Sequence, residues 1–228
     1  MTQARQPSTA RRKLVFLAGF AIYFTAVWFL WDTSVVYPLK IFVVMLHEIS
    51  HGIASVATGG TIERIVLDPA EGGACYCGGG NAFITLSAGY LGSLLWGVIM
   101  LSAAGSDRIS NRFLILAVGV MVVALTALYV RNGFGLLFGL GFGTALVIAG
   151  RRLGPGASRV VLTALGLTSC LYAILDIKSD VIDRPHLRSD AAMLAEMTGI
   201  PTMTWGVLWI AIAVVVSALV FRRAYKAA

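Results

Sequence analysis

Long apolar blocks separated by brief polar stretches frame this chain. Residues 14–31 form the first, 18 residues long and close to the roughly 20 that a helix needs to cross a bilayer. Further blocks run over 38–57, 83–104, 113–130, 133–150, 160–176 and 204–220. Residues 1–13 are polar and basic, a disordered tail. The block after them lacks a small-x-small cleavage site, so it reads as a retained first span. After the second block the pattern changes. Thr61-Ile62-Glu63-Arg64-Ile65-Val66-Leu67 is β-branched and strand-like, Asp68-Pro69-Ala70-Glu71-Gly72-Gly73 has turn chemistry, and 74–80 reads as a returning strand. The pattern predicts an all-α polytopic membrane protein of about 6–7 transmembrane helices, with a β-hairpin over 61–80 at the membrane edge. Residues 14–222 form one transmembrane domain, and 223–228 a basic tail.

Composition sharpens this. Of 228 residues, 58% are hydrophobic and 13% charged, with a mean hydropathy of +0.84; a soluble domain has about 45–50% and about 25%. The net charge is +7, but the basic residues stand at span ends (Arg11-Arg12-Lys13, Arg151-Arg152, Arg222-Arg223), where they anchor to bilayer headgroups. A nucleic-acid binder needs a basic stripe on a soluble surface, and none is visible in the sequence. The cysteines are Cys75, Cys77 and Cys170. Cys75-Tyr76-Cys77 has no second pair with which to build a four-ligand zinc site, which leaves small strand residues or a redox pair.

Within the second block stands His47-Glu48-Ile49-Ser50-His51. Residues four apart share a helix face, so His47 and His51 can offer two imidazoles to one metal ion. Glu48, about 100° around the helix, can reach a metal-bound water as general base without being a ligand. Three ionisable residues within five positions of a spanning helix, at roughly 2.5–3.5 kcal/mol per charged residue, point to function rather than packing. Catalytic zinc takes a third protein ligand. Asp176, at the end of an apolar block, is the first candidate, with Asp180 one turn later as the alternative or as a residue that orients the ligands. His186, in the polar loop 178–202, is a third possibility beside Pro185. That loop holds a short amphipathic helix over 189–197, capped by Ser189. Asn132 is either a backbone cap or a donor that steadies a substrate carbonyl, and the hairpin offers a strand edge for an extended substrate. The block 133–150 carries five glycines between Gly133 and Gly143. The bias of basic residues favours six crossings, whereas closing a metal site around Asp176 requires seven, and seven is the expectation adopted.

Leu46-His47-Glu48-Ile49-Ser50-His51-Gly52, a Gly-rich hairpin and Ser87-Ala88-Gly89-Tyr90-Leu91-Gly92 together resemble the site-2-protease type of intramembrane zinc metallopeptidases, most closely the small bacterial branch without a PDZ domain. Arg131-Asn132-Gly133-Phe134-Gly135, the block 171–176 and Ser189-Asp190-Ala191 extend the resemblance over most of 40–210. It implies zinc on His47 and His51, Glu48 as catalytic base, and a third ligand mapping best onto Asp176. It also implies a membrane-embedded protein substrate and a multi-pass location in a bacterial cell membrane. Better-known members carry Asn-Pro before that aspartate and Gly after it; here Ile177 follows Asp176. The rival expectation is therefore a catalytically inactive metal-binding or ion-handling membrane protein of the same fold. A membrane assembly factor that uses the hairpin to hold a partner is the third.

Overall fold

The computed structural model describes residues 9–106, 108–184 and 188–227. In chain order the elements are α1 (Thr9–Leu30), α2 (Tyr37–Ala57), β1 (Thr61–Asp68), β2 (Gly72–Gly78), α3 (Ala82–Ala104), α4 (Asn111–Tyr129), α5 (Gly133–Arg152) and α6 (Pro155–Ile177). A π-helical segment (Lys178–Asp183), α7 (Asp190–Thr198) and α8 (Thr202–Ala227) follow. Among the described residues seven helices, all but α7, are long and apolar enough to cross a membrane. The chain is a multi-pass integral membrane protein. The glycine-rich α5 is an unbroken helix of 20 residues, of spanning length as the seven-crossing expectation requires. α1 starts at Thr9, so the last residues of the stretch expected to be a tail are helical. His186 lies outside the described residues.

The helices are layered around α2. Proline in its first turn starts α2, and Gly59, at φ +90°, lets the chain leave it. Of its span 83% is buried, against 6% for α1, which faces outward with Phe16 and Phe20 against Phe221 of α8. The run from Ile41 to Leu46 is buried throughout, and the exposed apolar side chains Ile53 and Val56 lie in the last turns of α2.

The hairpin forms with β1 and β2 antiparallel and a bulge between Ile62 and Arg64. It folds back along α2. Ile62 fills the space over Gly52, Gly73 sits against Glu48, Tyr37 Oη donates to the Pro69 carbonyl at 2.7 Å, and Lys40 pairs with Glu71 at 3.0 Å. At about 1.5 Å per residue, contacts from Gly52 back to Tyr37 carry the hairpin along most of the helix. Backbone outside a helix survives at membrane depth only where its polar groups are satisfied. The outer edge of β1 is accordingly closed by the α4–α5 junction: Val130 bridges Ile65, and Arg131 N–H donates to the Ile65 carbonyl at 3.0 Å. Asn132 completes the seam with both halves of its amide, Nδ2 donating to the Leu67 carbonyl at 2.7 Å and Oδ1 accepting the Leu67 N–H at 3.2 Å. Asn132 is thus a strand pin, and its amide is engaged with backbone rather than turned to a substrate. The deeply buried Lys40 holds the hairpin tip, taking Glu71 and, at 3.6 Å, Asp32 as counter-ions, with the Trp31 ring 4.8 Å away.

Asn132→Ala leaves the Leu67 N–H and carbonyl without their side-chain partner, a loss of about 1–3 kcal/mol. Thermal unfolding of the detergent-solubilised variant should show a clearly lowered Tm, and an unchanged Tm would refute the pin.

A candidate metal centre on the buried helix

The histidines stand one turn apart on α2, and α3 crosses in front of them. The crossing is close because position 89 is glycine: a Cβ there would lie 2.6 Å from His51 Nε2 and closer still to His47 Nε2. Both Nε2 atoms therefore border the space that the missing side chain leaves. Asp190, the first residue of α7, reaches the same space. Its Oδ2 lies 3.0 Å from His47 Nε2 and 3.2 Å from His51 Nε2. One donor atom from each of His47, His51 and Asp190 falls within 4.8 Å of the others, and all three residues are buried. With zinc bonds of about 2.0–2.2 Å, tetrahedral ligand atoms lie about 3.3 Å apart, so separations of 3.0 and 3.2 Å are close enough for one shared ion as well as for hydrogen bonds.

Each donor is held from behind. His51 Nδ1 donates to the Thr85 carbonyl at 2.6 Å. A carbonyl can only accept, so the proton sits on Nδ1 and the Nε2 lone pair is left for a ligand. The His47 ring meets the Tyr90 ring edge-on, with centroids 4.7 Å apart. Ser189 Oγ caps α7 by accepting the Ala192 N–H at 3.3 Å, and Ala191 and Leu194 bury against Tyr90, Trp205 and Trp209, which sets Asp190 in place. Asp190 Oδ2 and the two Nε2 atoms thus face one another across the space beside Gly89, where one cation would satisfy all three. Glu48 lies on the next face of α2, buried, with its Oε1 2.7 Å from where a Cβ on Gly73 of β2 would stand.

The expected third member of the cluster, Asp176, is not brought to the Nε2 side of the two imidazoles. Asp176 lies beside His47, but its Oδ2 faces Nδ1 at 3.8 Å, on the far side of the ring from Asp190. Asp180, the alternative, accepts the Tyr90 hydroxyl at 2.9 Å and pairs with Arg184 at 2.8 Å. Geometry explains both: α6 passes behind His47, so acids at its end reach the back of the ring, whereas α7 comes in over the Nε2 side. Sequence reasoning passed over Asp190 although its signal was present, an acid directly after the Ser189 cap within a block already matched to the family. Cys75 and Cys77 project from the same face of β2 with Cα atoms 5.7 Å apart and are joined as a disulfide, so they are more than small strand residues.

Fold and site together define a class: a polytopic membrane protein whose central helix carries two buried histidines, joined by an aspartate from a short later helix. Residues 20–220 match the model of the Peptidase M50B-like family, and the chain belongs to that family, which falls within the site-2 proteases. It is a family of membrane proteases. No curated protein and no solved structure matches the chain.

Gly89→Ala drives a methyl group into both Nε2 atoms. The variant should remain monodisperse in detergent yet retain less than about a tenth of the wild-type metal content by mass spectrometry; about one zinc per chain in this variant would contradict the crossing geometry.

Proposed function

We propose that the protein is an integral-membrane zinc endopeptidase that hydrolyses peptide bonds of a membrane-embedded protein substrate within or near the bilayer, in the cell membrane of a bacterium. The observation that carries this reading is the buried trio of His47, His51 and Asp190 beside Glu48. Two neutral nitrogens and one carboxylate oxygen suit zinc, and the space beside Gly89 suits an ion. Zinc held there would supply Lewis-acid polarisation of the scissile carbonyl and a water acidic enough to attack it. Glu48 takes the proton of the attacking water and passes it to the leaving amine. Asp190 and the two imidazoles fix the donor positions, and the surrounding helices keep bulk water from the site.

A spanning substrate must be extended before it can be cut. Among the described residues β1 is the one strand paired with β2, so the outer side of β2 has no strand. Its Gly73 borders Glu48. In this reading the open edge of β2 receives the substrate through backbone hydrogen bonds and delivers an extended peptide to the glutamate. The unusual surroundings of Asp176 motivate the reading as a non-catalytic relative; with Asp190 as third ligand they no longer bear on the ligand set itself.

Glu48→Gln should keep about one zinc per chain and lose at least about 100-fold in cleavage. The assay is fragment release from fluorophore–quencher single-span peptides reconstituted with the protein in liposomes. Wild-type turnover by Glu48→Gln would overturn the proposal, as would metal-dependent ion uptake without any cleavage.

A further inference from the structure

The two imidazoles of the trio are supported unequally. His51 has the Thr85 carbonyl behind its Nδ1, whereas His47 Nδ1 is buried with no hydrogen-bond partner. An unmatched ring nitrogen at membrane depth is costly, and it leaves open which nitrogen carries the proton. The acceptor facing it is Asp176 Oδ2 at 3.8 Å, about one ångström beyond hydrogen-bond length. Among the described residues, no side chain hydrogen-bonds Asp176 to hold it back. Its other side opens on a cavity of about 240 Å³, which Glu71, Tyr172, Ser179 and Arg184 also line.

We infer that Asp176 is a positioning residue for the metal centre. It accepts the Nδ1 proton of His47, directly after a small side-chain rotation or through one water from the cavity, and so turns the Nε2 lone pair towards the ion. It does for His47 what the Thr85 carbonyl does for His51, with a formal charge added. A carboxylate behind a ligating imidazole fixes the tautomer and raises the basicity of the ligand nitrogen. The cavity accounts for the choice of a carboxylate: one face of Asp176 remains hydrated, so the charge is not wholly withdrawn from water. This inference rests on the zinc reading of the trio.

The test measures metal affinity rather than cleavage. Purified wild type, Asp176→Ala, Asp176→Asn and Asp190→Ala are titrated with zinc against a chromophoric chelator, and the visible spectra of the cobalt-loaded proteins are recorded. Asp176→Ala should keep one site with the same four-coordinate cobalt bands but bind about 10–100-fold more weakly. Asp176→Asn, equal in shape and still an acceptor, should recover part of the loss; a packing role would recover all of it. Asp190→Ala should hold no ion. Wild-type affinity in both Asp176 variants overturns the inference and leaves the trio standing. Loss of metal in Asp176→Ala with retention in Asp190→Ala overturns it by making Asp176 the ligand. If wild type itself takes up no zinc, the metal reading fails and the inference fails with it. Should Asp176→Ala not fold, the isosteric Asp176→Asn decides alone, with full affinity as the contrary result.

Discussion

The structure depends on one constraint: three ionisable side chains, His47, Glu48 and His51, stand in a helix of membrane-spanning character and must have polar company there. Free in hydrocarbon they would make α2 unstable as a span. The chain meets the constraint by covering most of α2 with the rest of the bundle. α3 crosses its histidine face at Gly89, the hairpin covers the Glu48 face, and the end of α6 closes behind His47. The same arrangement removes bulk water from the site and gathers oxygen and nitrogen donors around it, so the packing that makes α2 tolerable also makes it chemically useful.

The hairpin follows from the same logic. A strand pair beside a spanning helix brings unpaired backbone to a depth where water is scarce. One edge is sealed by Val130, Arg131 and Asn132, and the tip is fastened by Tyr37 and the buried Lys40. The edge of β2 is left without a strand. In a membrane such an edge is an energetic liability unless something intermittently pairs with it, and it runs past Glu48. The glycines of β2 fit this placement, because the Cβ that Gly73 lacks would collide with the glutamate.

Much of this was legible in the sequence, and the limits have physical causes. The spans announce themselves by length and hydropathy, the hairpin by a change from helical blocks to β-branched and glycine-rich stretches, and the two histidines by their spacing. The packing of the hairpin along α2 was not legible: strand propensity says nothing of what a strand lies against. Asp190 was missed for a related reason. An acid in a polar loop is usually solvated, whereas an acid at the end of an apolar block demands a partner, so Asp176 drew the assignment. Both demands are real. Asp176 does find a histidine, but the back of it, and the distinction between the two nitrogens of one ring is set by the direction from which each helix arrives.

The order of assembly follows from where the third donor comes from. His47 and His51 share one turn of α2 and are together as soon as that helix exists. Asp190 is separated from His47 by 143 residues of chain. It is held by a nine-residue helix that would be marginal alone and is placed by Ala191 and Leu194 packing on Tyr90, Trp205 and Trp209. Those aromatics belong to α3 and α8, so α7 can dock only after the first and last parts of the domain have met. The candidate trio is thus closed by tertiary packing rather than local sequence: two of its donors share one turn of α2, and the third comes from α7.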